Sequence, residues 1–121
     1  MNIFENRLIR ERLREAFPKY FVNAGFEIII YPARNSYFEL NGLVTELELK
    51  AKILEWLSRE ASKSISRVSQ KYHLDGINKF LETSFTRDDM SEIYTYLGNS
   101  CNHEKTLRFI ESGYDMAALN M

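Results

Sequence analysis

Apolar positions recur at helical spacing through most of the chain and gather once into an unbroken block. Residues 2 to 17 put Ile9, Leu13, Ala16 and Phe17 on one side of a helix and Phe4 and Leu8 on a second, with Pro18 closing it. From Phe26 to Tyr31 three consecutive isoleucines stand between aromatics and are bounded by Gly25 and Pro32, which predicts a strand. Tyr37 to Leu40 reads as its returning partner, before the Asn41-Gly42 turn signal.

Thr45-x-x-Glu48 spells a capping box and opens the clearest helix of the sequence. Leu49, Ile53, Trp56, Leu57 and Ala61 share a broad side that Leu47 and Leu54 extend, and Glu48, Lys52, Glu55 and Arg59 lie opposite. So wide an apolar arc predicts the central helix, with Trp56 as its largest packing residue. Ile65, Val68 and Tyr72 mark a further helical stretch. Ile77, Phe80 and Leu81 mark another, after a break at Asp75-Gly76. Phe85 and Met90 flank Thr86 at the two positions of a hydrophobic staple, and Asp88 and Asp89 suit a helix N-terminus. That helix uses Met90, Ile93, Tyr94 and Leu97 and stops at Gly98; Asn102 caps the next, which ends at Gly113. The expected fold class is α+β and mainly α: an N-terminal helix and a β-hairpin (1–44) packed on a helical bundle (45–121).

Composition supports one domain and narrows the chemistry. The 121 residues are 45% hydrophobic and 27% charged, a globular balance. Leucine (13) and isoleucine (10) far outnumber valine (3), which favours helices. A lone cysteine, Cys101, excludes an internal disulfide and a zinc ribbon and suits a reducing compartment. The longest apolar run is too short to span a bilayer, and charged residues occupy the N-terminus where a signal peptide needs an apolar stretch; the expected location is cytoplasmic.

Candidate chemistry is sparse. Cys101-x-His103, with His73 elsewhere, is the one thiol–imidazole arrangement, and it has too few ligands for a metal site. Glycines are scattered singly, with no phosphate-cradling or nucleophile-elbow motif. No enzyme activity, cofactor or metal is expected on these grounds.

Three charged surfaces stand out instead. Arg7, Arg10 and Arg14 fall at i, i+3, i+7 of the first helix, with Glu11 and Glu15 beside them. Lys63, Arg67 and Lys71 fall at i, i+4, i+8 with serines interleaved, a spacing that fits phosphate oxygens. Asp89, Glu92 and Tyr96 form the third stripe, in a segment (80–121) with seven acidic residues against three basic. There the expectation is that Tyr94 and Leu97 face inward and Tyr96 outward, so that a tyrosine among carboxylates could anchor a basic protein surface.

Two stretches, LKAKILEWLSREASKS (49–64) and FLETSFTRDDMSEIYTYLGNSCNHEKTLRFIESGYDMAAL (80–119), resemble small accessory proteins carried by phages and mobile elements of Gram-positive bacteria. Some short proteins of that setting are anti-CRISPR inhibitors. The resemblance implies a non-enzymatic inhibitor that binds a protein target, such as a type II CRISPR effector nuclease. The candidate partner-binding residues are then Asp89, Glu92, Tyr96, Arg7, Arg10 and Arg14. The alternative is a small nucleic-acid-binding or regulatory protein using Lys63, Arg67 and Lys71.

Overall fold

A computed structural model of the chain describes residues 7–24, 27–30, 45–99 and 102–120. Among them, in order, are helix α1 (Arg7–Ala16), strands β1 (Phe21–Ala24) and β2 (Glu27–Ile30), and helices α2 (Glu46–Lys63), α3 (Arg67–Leu81), α4 (Arg87–Ile93) and α5 (His103–Glu111). A π turn (Tyr94–Gly98) prolongs α4, and a 3-10 turn (Met116–Asn120) follows α5.

α2 is the axis. Thr45 Oγ1 accepts the Glu48 N–H at 3.1 Å and fixes its start. From there α2 packs against α3, α4 with its π turn, and α5, burying Leu49, Ile53, Leu54, Leu57 and Ala61. α1 lies across α3, and Leu13 and Phe17 join the same core. Arg12 ties this end together: its guanidinium donates to Glu46 Oε1 at 2.5 Å and to the Phe80 carbonyl at 2.7 Å, and sits 4.6 Å over the Phe80 ring. That hydrogen bond holds the Glu46 carboxyl below its ordinary pKa, with Lys50 adding to the effect.

The fold class is mainly α, which corrects the α+β expectation. Described strand structure amounts to one antiparallel ribbon of two four-residue strands, Phe21 opposite Ile30 and Ala24 opposite Glu27. A ribbon this short is not a layer on which a bundle can rest; the helices bury their apolar faces against one another, around α2. The expected return strand at 37–40 lies outside the described residues.

Three local expectations are also corrected. Trp56 is 38% exposed, because it falls just past one edge of the buried arc of α2, where the Lys52 ammonium stands 5.6 Å over its ring. The Asp75-Gly76 break does not exist: α3 runs unbroken from Arg67 to Leu81. A glycine inside a helix costs about 1 kcal/mol, but here a side chain would collide with the Phe17 ring and with the Ala16 carbonyl oxygen, 2.7 Å from a Cβ. Gly76 is the point where the end of α1 crosses α3. Gly98 likewise is a crossing and not a left-handed cap: a Cβ there would lie 2.9 Å from both the Glu55 carbonyl oxygen and Ser58 Oγ of α2.

The remaining caps fall where the sequence puts them. Thr86 and Asp89 form a reciprocal capping box, and the staple residues Phe85 and Met90 are both buried. Asn102 Oδ1 accepts the Lys105 N–H at 3.1 Å, and α5 unwinds through Gly113 at φ +79°.

Candidate functional site

The sequence-predicted basic stripe is not a stripe. Lys63 is the last residue of α2, whereas Arg67 and Lys71 belong to α3, and residues 64–66 break the helix between them. Lys63 Nζ sits 5.0 Å over the Tyr94 ring, and Lys71 is paired with Asp75 at 2.7 Å. Three of the four interleaved serine hydroxyls are engaged within the chain: Ser62 Oγ donates to the Ser58 carbonyl, Ser66 Oγ accepts the Ser69 N–H as N-cap of α3, and Ser69 Oγ lies 3.3 Å from His73 Nδ1. A helical spacing counted across a helix break has no geometric meaning, which is why the pattern fails.

What the break produces instead is an exposed apolar corner. Ile65 and Val68 have relative accessibilities of 104% and 72%. The Ser66 cap and a 2.5 Å hydrogen bond from Gln70 Nε2 to the Ser64 carbonyl hold the corner in place. Arg67, exposed, lies between the two apolar residues in sequence. In the sequence Ile65 and Val68 mark a helical stretch with Tyr72; the signal against their burial is Gln70, a polar residue where a staple partner for Ile65 belongs.

The acidic stripe is partly consumed. Asp89 Oδ2 accepts the Thr86 N–H at 2.9 Å to close the capping box. Glu92 is exposed. Tyr96 is half-buried against the core, with Lys105 Nζ 4.8 Å over its ring. The i, i+3, i+7 count assumes an α-helix, but the π turn spaces its hydrogen bonds one residue wider and rotates Tyr96 inward. On α1, Arg7 and Arg14 are exposed, Arg7 bonds to Glu11 at 3.1 Å, and Arg10 is half-buried. Arg12, which the stripe leaves out, is bound to Glu46 and to the Phe80 carbonyl.

Both histidines serve the fold. His103 Nδ1 lies 3.0 Å from Glu55 Oε1, whose side chain is only 9% exposed, so this pair pins the start of α5 to α2. His73, 3% exposed, is engaged by Tyr20 and Ser69. Cys101 lies outside the described residues. Among the described residues no three His, Cys, Asp or Glu side chains gather as metal ligands, and no helix is long and apolar enough to cross a membrane.

Among the described residues, the α2–α3 corner leaves two large aliphatic side chains, Ile65 and Val68, exposed three positions apart, and Leu8 of α1, 69% exposed, is a further exposed aliphatic. Comparison of the chain with family models, with curated proteins and with solved structures finds no match.

Proposed function

We propose that this chain is a non-enzymatic protein-binding inhibitor of the anti-CRISPR type, directed at a type II effector nuclease, and that it docks through the Ile65–Val68 corner. The observation that carries the reading is the exposure of two branched aliphatic side chains, three positions apart on a capped and hydrogen-bonded corner. Exposed aliphatics close in sequence on a hydrogen-bonded support are the kind of feature that a partner covers. Such preorganisation spares the entropy of ordering a loop on binding. Arg67 beside the corner fits a partner pocket that is apolar inside and acidic at its rim. Glu92 belongs to the proposal as a peripheral contact toward basic surface of the nuclease, whereas Asp89 and Tyr96 are already engaged.

The test pairs binding with inhibition. A tagged chain should retain a type II effector nuclease and slow its DNA cleavage, and Ile65→Ser with Val68→Ser should weaken binding by about tenfold or more with the circular dichroism unchanged. A chain that retains no such nuclease overturns the inhibitor reading. Undiminished binding by the double variant overturns the corner. A mobility shift of free DNA or RNA that fades steeply with salt would favour the nucleic-acid reading instead.

A further inference from the structure

The Lys19–Tyr20 segment leads the chain from α1 into β1, and two neighbouring side chains of α3 hold it. Tyr72 Oη accepts the Lys19 N–H at 2.8 Å, and the Tyr20 hydroxyl lies 2.5 Å from His73 Nε2. The rings close around the imidazole: Tyr20 and Tyr72 stand 5.4 and 5.3 Å from it, centre to centre, with Phe17 against both tyrosines.

Hydrogen-bond logic settles the protonation of His73. Its Nδ1 lies 2.7 Å from the Ser69 carbonyl oxygen, which only accepts, so Nδ1 carries the proton. Nε2 therefore keeps its lone pair and accepts from the Tyr20 O–H. The neutral ring is satisfied at both nitrogens. Protonation reverses the second bond: Nε2 then donates to Tyr20 Oη, and the Tyr20 O–H, which had His73 as its acceptor, is left to find another, around a cation buried at 3% exposure. The charged groups facing the ring are Glu60 from α2, which favours the cation, and Lys19, which opposes it. Burial outweighs Glu60 and pushes the His73 pKa below the ordinary value, and it lifts the Tyr20 phenol to about 12.

We propose that the His73–Tyr20 contact is a proton-operated latch: protonation of the buried His73 loosens the Lys19–Tyr20 segment from α3, and with it the entry into the β1–β2 ribbon, while the helical core stays folded. The sign follows from linkage. Neutral, buried His73 contributes stability above the ordinary histidine pKa of about 6.5, and that contribution is lost as pH falls through this value toward the lower folded-state one. The latch is independent of the docking corner.

Amide hydrogen exchange on the whole chain tests it, with rates corrected for the intrinsic effect of pH. Between pH 7.5 and 5.0, protection of residues 19–24 should fall by about fivefold or more, the loss that goes with one net hydrogen bond, while Leu54 and Leu57 of α2 keep theirs. His73→Gln, whose amide oxygen can accept from Tyr20 but does not titrate, should hold protection constant across that range. Tyr20→Phe should lower it already at pH 7.5 and flatten its pH dependence. Unchanged protection in the wild-type chain, parallel loss in α2, or a pH dependence that survives in His73→Gln would each overturn the latch.

Discussion

The starts of α3 and α4 use the same capping chemistry and end with opposite surfaces. At α4, Thr86 Oγ1 accepts the Asp89 N–H, and Asp89 returns the bond to the Thr86 N–H. At α3, Ser66 Oγ accepts the Ser69 N–H, but Ser69 has no carboxylate with which to answer. Before each cap stands a large apolar residue, Phe85 or Ile65. Phe85 is buried because it stacks on Phe109 and meets the Tyr114 ring edge-on, in the core that also takes Met90, and because Asn78 of α3 binds both its N–H and its carbonyl. Ile65 faces Gln70 at the corresponding position, and Gln70 reaches back to the Ser64 carbonyl instead. A cap fixes where a helix begins. Whether the residue beside it is core or surface depends on what packs against it, from one turn later and from other elements.

The sharpest break in that comparison is a truncation on each side. Met90→Ala removes a fully buried side chain that packs in the core, and should cost about 2–5 kcal/mol in urea unfolding. Val68→Ala should fall within about 0.5 kcal/mol of the wild-type chain, as exposed substitutions do. Equal costs would mean that the corner is packed and that its exposure is not a property of the folded chain.

Next in size are the caps. Thr86→Ala and Ser66→Ala should each destabilise by about 0.5–2 kcal/mol. Thr86→Ala should be the larger, since the Asp89 N–H loses its acceptor and the Asp89 carboxylate is then held in the box by the residue-86 N–H alone. Matched denaturation curves of the two variants decide this. A larger loss at Ser66 would show that the α2–α3 break, and not the α4 staple, limits stability.

Legibility in the sequence follows the same division. The start of α4 was readable because box and staple are local patterns, complete within six residues from Phe85 to Met90. Gly76 was misread because its reason lies in Phe17 and Ala16, far away in the chain and adjacent only once α1 crosses α3. Trp56 looked like core because arc and edge cannot be distinguished before the neighbours of a helix are placed. Tyr96 was placed outward by counting α-helical turns through what is a π turn, which no residue of Tyr94–Gly98 announces. The basic stripe failed at Ser64–Ser66, although Ser66 followed by Ser69 is itself a readable N-cap. Long-range partnerships such as Arg12 with Glu46 and Phe80, or Tyr20 with His73, leave no periodic trace at all.

The smallest expected effect is the most direct test of the staple argument. Gln70→Leu puts an apolar side chain one turn into α3, where α4 has Met90. It removes the bond from Gln70 Nε2 to the Ser64 carbonyl, and with it a buried Gln70 Oε1 that has no partner. Losing the bond costs about 1 kcal/mol, and relieving the unpartnered oxygen returns a comparable amount. Burial of part of Ile65 against the introduced leucine adds a modest gain, so net stability should change by no more than about 1 kcal/mol. The informative readout is therefore contact and not stability. Methyl NOEs should link Ile65 to the introduced leucine, and a soluble paramagnetic probe should broaden the Ile65 methyls less than in the wild-type chain. If Ile65 stays as accessible as before, the residue one turn into the helix does not decide the fate of the one before the cap. The exposure of the corner would then lie in the path that Ser64–Ser66 imposes on the backbone.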